Sequence, residues 1–155
     1  MKDLRTLTLI LDDEVPIVNM LSRVCEQEGH LVRPFMRASE ALQCLSEEPI
    51  DILITDMCMP ESDGMTVTKA AWRLRPDLYV LIITGHAGMF PVENLLAGGH
   101  ADIMFKPFRL NEFRARLDLA KRRREMIARL SAETRALHQI SHDRISELQR
   151  ELEGK

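Results

Sequence analysis

Five short apolar segments recur along this chain, and four of them end in a residue capable of chemistry. These residues are an acid, a hydroxyl or a lysine, at Asp12–Asp13, Asp56, Thr84 and Lys106. Apolar runs that alternate with amphipathic patterns predict βαβ units and a parallel sheet. Because ligands of open parallel α/β sheets bind at the carboxyl ends of the strands, these side chains are expected to share one pocket. Their chemistry favours a divalent cation and a phosphoryl group.

The spacing of apolar, turn and capping residues predicts the individual elements. Helices are expected at 15–28, ended by Gly29, at 65–74 after the turn Asp63-Gly64, and at 91–97. Another helix is expected after Ser39 as N-cap. Strands are expected at 31–35, 50–55, 78–83 and 101–105 besides the first apolar run, Leu7–Leu11.

Four motifs in a fixed order carry a resemblance to a known family. They are LILDDE at 9–14, DILITDMCMPESDG at 51–64, LIITGHAG at 81–88 and ADIMFKPF at 101–108. Over about residues 4–120 the chain resembles the receiver domain of two-component response regulators, the CheY-like family. The resemblance implies an α/β fold, a doubly wound five-stranded parallel sheet of flavodoxin-like (βα)5 type. It also implies a receiver domain at 1–120 and a helical extension at 121–155.

The resemblance assigns metal ligands and a nucleophile. Asp56 stands at the position of the family's phosphoacceptor. Asp12 and Asp13 match the acidic pair that holds Mg²⁺, a hard cation that takes oxygen ligands. Asp56 and the backbone carbonyl of Cys58 are expected to complete the protein's ligands. Without the cation, the clustered carboxylates are expected to raise one another's pKa.

The same resemblance implies the remaining roles. Lys106 matches the lysine that pairs with the phosphoryl group, and Thr84 matches the hydroxyl that hydrogen-bonds to it. The Lys106–Pro107 peptide bond is expected to be cis. The implied function is that of a response regulator that takes a phosphoryl group from a sensor histidine kinase or phosphotransfer protein. It would act as a self-phosphorylating and self-dephosphorylating switch, and not as an enzyme on other substrates.

Three positions bear on how such a switch would behave. Ile103 stands three residues before Lys106, where many receivers carry a switching Tyr or Phe, and an isoleucine cannot swing a ring between two states. Cys58 and His86 stand two residues after Asp56 and Thr84, where the family tunes hydrolysis of the aspartyl phosphate. His86 is interpreted as a bystander or as a residue that orients water, and Cys58 as a small filler.

Composition and charge narrow the setting. The chain of 155 residues carries a net charge of −3, divided between 12 basic and 18 acidic residues at 1–118 and 9 basic and 6 acidic residues at 119–155. Its three cysteines show no metal-ligand spacing, which favours a reducing compartment. No signal peptide or membrane span is evident. These features predict a soluble, cytoplasmic protein with no membrane partner.

The C-terminal segment has a different character, because no Pro or Gly occurs from 109 to 153. Apolar and small residues follow a 3-4-3-4 spacing and then a four-residue step: Ile127, Leu130, Thr134, Leu137, Ser141, Ile145, Leu148 and Leu152. The first part is typical of a coiled coil and the step of a stutter. A continuous helix over about 109–152 that pairs in parallel with a second copy is expected. A long amphipathic helix folded back onto the same chain is the alternative.

Other functions are disfavoured by particular residues. A haloacid dehalogenase-like phosphohydrolase needs a DxDx(T/V) signature after the first strand, where this chain has Asp12-Asp13-Glu14. A degenerate receiver would lack an acid or the lysine. His142 lacks the downstream proline of a histidine kinase helix, and the basic run 121–124 is interpreted as a charged helix surface. DNA is expected to be bound only through a further domain that this sequence does not contain. The sequence leaves open whether Lys155 ends the natural protein.

Overall fold

The chain folds into an α/β sheet flanked by helices, as a computed structural model that describes residues 5–86, 88, 93, 96–97 and 100–154 shows. Five parallel strands have the order β2-β1-β3-β4-β5; they are β1 Leu7–Leu11, β2 Leu31–Phe35, β3 Ile52–Asp56, β4 Tyr79–Thr84 and β5 Ala101–Phe105. In the described ranges the helices α1 Val15–Gln27, α2 Ala38–Glu47, α3 Gly64–Leu74 and α4 Leu110–Glu153 flank the sheet or follow it. The predicted fold class is confirmed. Most of the predicted helix at 91–97 lies outside the described residues.

The core lies on both faces of the sheet. Every residue of β1, β3 and β4 is buried, as expected for central parallel strands covered on both sides. Leu9 and Leu53 belong to one cluster with Ala41 of α2 and Val67 of α3. Because successive strand residues point to opposite faces, Ile10 is buried on the other side, which α1 and the first turns of α4 cover.

The helix boundaries follow local signals at three of the predicted ends. Pro16 lies in the first turn of α1, and Gly29 follows its last turn with a φ of +86°. Asp63 caps α3, because its side chain accepts a hydrogen bond of 2.7 Å from the N–H of Thr66. The prediction of Ser39 as an N-cap is wrong. Helix α2 already begins at Ala38, which is buried against the sheet, and the preceding Arg37 makes no side-chain cap bond.

The outer strand β2 contains a proline that faces away from the sheet. The N–H of Leu31 donates to the Thr6 carbonyl, and the carbonyl of Phe35 accepts from the Asp12 N–H. The backbone N–H and C=O groups of the odd-numbered residues of β2 therefore face β1, and those of the even-numbered residues face the open edge. Pro34 therefore presents its missing N–H to the open edge, where a proline costs no sheet hydrogen bond.

The first part of α4 is tied to the sheet by arginines. Arg116 bonds to Asp102 of β5 at 2.8 Å, and Arg123 donates to the hydroxyl of Tyr79 at 3.2 Å. Arg124 lies 3.5 Å from the carboxylate of Asp51. Arg122 and Arg123 of the run 121–124 are exposed, as expected for a charged helix surface, whereas Arg124 is half-buried.

The chain divides into two compact units, Met1–Arg124 and Glu125–Lys155. The second unit is helical to Glu153 and exposes large apolar side chains: Met126, Leu130, Leu137, Ile140, Ile145, Leu148 and Leu152. No helix in the described ranges combines the length and the apolar composition that a bilayer crossing requires.

Candidate functional site

Three carboxylates meet at the carboxyl end of the sheet. Asp12 directly follows β1, and Asp56 is the last residue of the neighbouring strand β3, one register step beyond the pair Leu11↔Thr55. One carboxylate oxygen from each of Asp12, Asp13 and Asp56 lies within 4.8 Å of the others. Asp12 and Asp56 are buried, whereas Asp13 is exposed. The sequence prediction that these acids share one site is thus supported by their positions.

Lys106 places its ammonium group among these acids. Lys106 directly follows β5. The peptide bond between Lys106 and Pro107 is cis, as predicted. Its Nζ lies 3.1 Å from Asp12 Oδ2, 3.4 Å from Asp56 Oδ2 and 3.9 Å from Glu14 Oε1. Residues 94 positions apart in the sequence therefore form a direct ion pair.

Burial and charge act in opposite directions on this pair. Burial raises the pKa of Asp12 above its usual range, although a hydrogen bond from the Glu14 N–H and the charge of Lys106 lower it. For Lys106, burial lowers the pKa, but the hydrogen bond to Asp12 and the nearby carboxylates outweigh burial and raise it. The charge of Asp56 is the smallest contribution to the pKa of Asp12. Loss of hydration, more than the expected repulsion between the acids, thus raises the pKa of Asp12.

Backbone N–H groups fix the orientation of the two buried acids. The N–H of Glu14 donates to Asp12 Oδ1 at 2.9 Å, which leaves Oδ2 facing Lys106. The N–H of Cys58 donates to Asp56 Oδ1 at 3.3 Å. The role of Glu14, both as a donor and as a third acid near Lys106, was missed in the sequence because its side chain is exposed and follows the acidic pair without a pattern of its own.

The hydroxyl of Thr84 lies at the end of β4. Thr84 is buried, pairs in register with Phe105, and accepts the Lys106 N–H at its backbone carbonyl at 2.8 Å. Its side-chain oxygen accepts a hydrogen bond of 3.1 Å from the N–H of His86, so the hydroxyl proton is left for another acceptor. His86 is exposed, and its backbone, not its imidazole, makes this contact. Ile103 is half-buried and packs against the core cluster, as an apolar filler would.

A glycine allows the loop after Asp56 to close tightly. A Cβ added to Gly64 would overlap the backbone carbonyl oxygen of Asp56 and lie 2.9 Å from Met57 Cα. The Gly64 N–H donates to the Met57 carbonyl at 2.8 Å. The sequence had indicated only a turn at Asp63-Gly64. The close approach depends on where α3 begins relative to β3, which no local pattern encodes.

The donor set suits a hard cation. Three carboxylate oxygens are ligands of the kind that Mg²⁺ prefers, and among the described residues the cluster contains no sulfur or nitrogen ligand. Two of the acids are buried and share the ammonium group of Lys106, so a further positive charge would offset their cost of burial.

Comparisons with known proteins agree with this geometry. The family model for the response regulator receiver domain matches residues 8–118. The DNA-binding transcriptional regulator NtrC of Proteus hauseri is 33% identical over 111 residues, which cover 72% of this chain and 24% of that protein. The response regulator receiver protein CpdR of Brucella abortus is 33% identical over 104 residues, 67% of this chain and 87% of that protein. The chain thus spans about a quarter of the length of the NtrC relative but matches most of CpdR.

A solved structure has the same fold. The CheY-like receiver domain protein of Methanospirillum hungatei JF-1 superimposes with a TM-score of 0.70 at 23% identity, covering 81% of this chain and 98% of that one. The residues matched by the family model, 8–118, include Asp12, Asp13, Asp56, Thr84 and Lys106. The chain belongs to the response regulator receiver domain family.

Proposed function

We propose that the chain is a phosphoacceptor switch in which Asp56 receives a phosphoryl group. The observation that carries this proposal is the convergence of Lys106 on Asp12 and Asp56, at 3.1 and 3.4 Å, beside a third carboxylate. A nucleophilic carboxylate with an adjacent cation is the arrangement that phosphoryl transfer to an acid requires. No member of this set is missing, which argues against a degenerate, purely binding receiver.

A divalent cation fits this site through the chain's own residues. Asp12, Asp13, Asp56 and the backbone carbonyl of Cys58 would hold Mg²⁺. When bound, Mg²⁺ neutralises the clustered carboxylates and the charge on the phosphoryl oxygens. Asp12, which is buried, has already lost most of its hydration and would be relieved of an unfavourable burial, whereas the exposed Asp13 would give up water when it binds.

In the proposed transfer, Asp56 acts as the nucleophile and the donor molecule carries away the leaving group. A carboxylate oxygen of Asp56 forms a bond to phosphorus while the bond from phosphorus to the donor breaks, and the electron pair stays with the donor atom. Lys106 pairs with the phosphoryl oxygens, and the Cys58 N–H keeps one Asp56 oxygen oriented. The Thr84 hydroxyl, which accepts from His86, has its proton available for a phosphoryl oxygen. With Ile103 at the usual aromatic position, the response is proposed to run through Thr84 and the loop that follows it.

The donor and the partner in the cell follow from the family. We infer that a sensor histidine kinase or a phosphotransfer protein supplies the phosphoryl group from a phosphohistidine. Self-catalysed phosphorylation and dephosphorylation make the chain a signalling switch. The output stays a proposal as well, because the match covers only 24% of the NtrC relative. Either this chain acts through a partner, or it is the N-terminal part of a larger multidomain regulator.

A second copy is the proposed partner of the C-terminal helix. We place the boundary between the receiver domain and the helical extension at 120/121, and the extension carries the apolar stripe. Leu130, Leu137 and Leu152 are 56, 65 and 76% exposed. A helix of this length gains most of its stability by burying such a face, and a parallel coiled coil would do so.

Labelling by a small phosphodonor tests the phosphoacceptor. In the presence of Mg²⁺ the wild-type chain is expected to gain one phosphoryl group by intact mass. The Asp56→Asn variant is expected to gain none while remaining folded, since the amide is nearly isosteric. Asp118→Asn, an exposed acid on α4 paired with Arg122, is the matched control and should label like the wild type. Equal labelling of Asp56→Asn and the wild type would reject the assignment.

A further inference from the structure

Beside the carboxylate cluster lies a small cavity that the proposed phosphoryl transfer does not use. Its volume is about 90 Å³, and Asp13 of the cluster forms part of its wall. The loop before α2 and the loop after β3 supply other lining residues, among them Met36, Arg37, Met59 and Glu61. A space of this size accommodates roughly three water molecules, or a chemical group of a few non-hydrogen atoms.

A salt bridge joins the two loops across this cavity. Arg37 donates to Glu61 Oε1 from Nε at 3.0 Å and from Nη2 at 2.9 Å. Both donors converge on one oxygen, and the two side chains are 63 and 46% exposed. An ion pair with this exposure is weak, because water and salt screen it. Arg37 can therefore exchange Glu61 for another anion at little cost.

The charges around the cavity give Arg37 a specific use. A phosphodonor that approaches the site meets Asp12, Asp13 and Asp56, against which Lys106 supplies one positive charge. Arg37 carries the one positive charge among the described residues that line the cavity. Its planar guanidinium matches the geometry of a carboxylate, to which it can donate two parallel hydrogen bonds.

We propose that Arg37 is a donor-binding residue that selects acyl phosphates, donors in which the phosphoryl group is joined to a carboxylic acid. This inference rests on the proposed function of Asp56. During transfer, Asp56 bonds to phosphorus, the bond between phosphorus and the acyl oxygen breaks, and the electron pair stays on that oxygen. The product is a free carboxylate beside Arg37. Glu61 holds the guanidinium at the cavity when no donor is present and competes with the donor for it.

Two donors with different leaving groups test this proposal on the full chain. Acetyl phosphate releases a carboxylate, whereas phosphoramidate releases ammonia, which carries no negative charge. Arg37→Gln is expected to raise the half-saturating concentration of acetyl phosphate by roughly fivefold, the effect of losing one solvent-screened charge contact. The labelling rate at saturation and the half-saturating concentration of phosphoramidate should stay at their wild-type values. A structural effect on the site would alter both donors alike.

Two further variants complete the experiment. Glu61→Gln removes the competing anion and should lower the half-saturating concentration of acetyl phosphate. Arg33→Gln removes an arginine of the same strand region that is paired with Glu48, and it should change neither donor. Unchanged half-saturation in Arg37→Gln, or an equal change for both donors, would overturn the proposal. Labelling that persists in Asp56→Asn would instead reject the proposed function, and the role of Arg37 would fall with it.

Discussion

Replacing Lys106 by methionine should expose the electrostatic cost of the acidic site. The ammonium group lies 3.1 Å from Asp12 and 3.4 Å from Asp56, and the side chains of Lys106, Asp12 and Asp56 are 19, 2 and 7% exposed. At an effective dielectric constant of about 20, each contact corresponds to about 5 kcal/mol of attraction, much of which the burial of the charges offsets. Since Lys106 is partly exposed, we expect Lys106→Met to lower the free energy of unfolding by about 2–3 kcal/mol at neutral pH without Mg²⁺.

This loss should depend on pH in a defined direction. Burial raises the pKa of Asp12 in the folded chain above the ordinary value of 3.8, and removal of Lys106 would raise it further. As the pH falls through the raised value, the folded state takes up a proton before the unfolded state does, which favours folding. The difference between Lys106→Met and the wild type should therefore narrow toward pH 4. Mg²⁺ at neutral pH should narrow it as well, by supplying the missing positive charge.

Urea unfolding followed by the fluorescence of Trp72 measures this difference. Trp72 is the one tryptophan of the chain, and its indole donates to the Leu78 carbonyl at 3.0 Å, so unfolding of the receiver changes its surroundings. Lys69→Met, at an exposed lysine of α3, is the control for the loss of a positive charge. A Lys106→Met chain as stable as the control without Mg²⁺, or a deficit independent of pH, would refute the idea that Lys106 compensates these acids.

Three other predictions follow from packing, titration and the exposed stripe. Gly64→Ala forces a Cβ onto the Asp56 carbonyl, so it should lower the free energy of unfolding by about 2–4 kcal/mol in urea titration and slow labelling, unlike Ala substitution at the exposed Thr66. Burial, then Lys121, lowers the pKa of His30; stability should fall as the pH drops below 6.5, by up to about 1.4 kcal/mol per pH unit, and His30→Gln should abolish this dependence. Full-length chain should sediment as a dimer at micromolar concentration or above, and a chain with glutamate at 130 and 137 as a monomer; a monomeric wild type would reject the coiled coil.

The architecture was accessible from the sequence because its signals are local or periodic. The bounds of β1 and β5 match the predicted apolar runs, and the chemistry at the ends of the strands follows from the parallel order of the sheet. Strand β3 begins at Ile52 instead of the predicted Ile50. Ile50 is buried, but it lies in the turn before the strand, where its N–H bonds to the Glu48 carbonyl. An apolar run thus predicts which residues are buried more closely than it predicts where the strand begins and ends.

The contacts that could not be predicted join residues with no shared pattern. The pair Arg37–Glu61 spans 24 positions and the pair Arg123–Tyr79 spans 44. Each depends on which loops and helix turns the completed fold brings together. The four residues of the basic run look alike in sequence, yet only the helix phase against the sheet decides that Arg123 and Arg124 turn toward Tyr79 and Asp51. The position of the motif residues in the site could be predicted, because these residues lie at the carboxyl ends of neighbouring strands.

Pro34 has a consequence for the behaviour of the protein at high concentration. An outer strand offers unpaired N–H and C=O groups on which a strand of another molecule can build, and this is a common start of aggregation. On the open side of β2 the donor at Pro34 is absent, and the pyrrolidine ring occupies the place that an incoming strand would need. Pro34 thereby opposes the addition of a further strand at the open edge of β2. A Pro34→Val substitution would restore the template, so this position is expected to govern how far the protein can be concentrated before it precipitates.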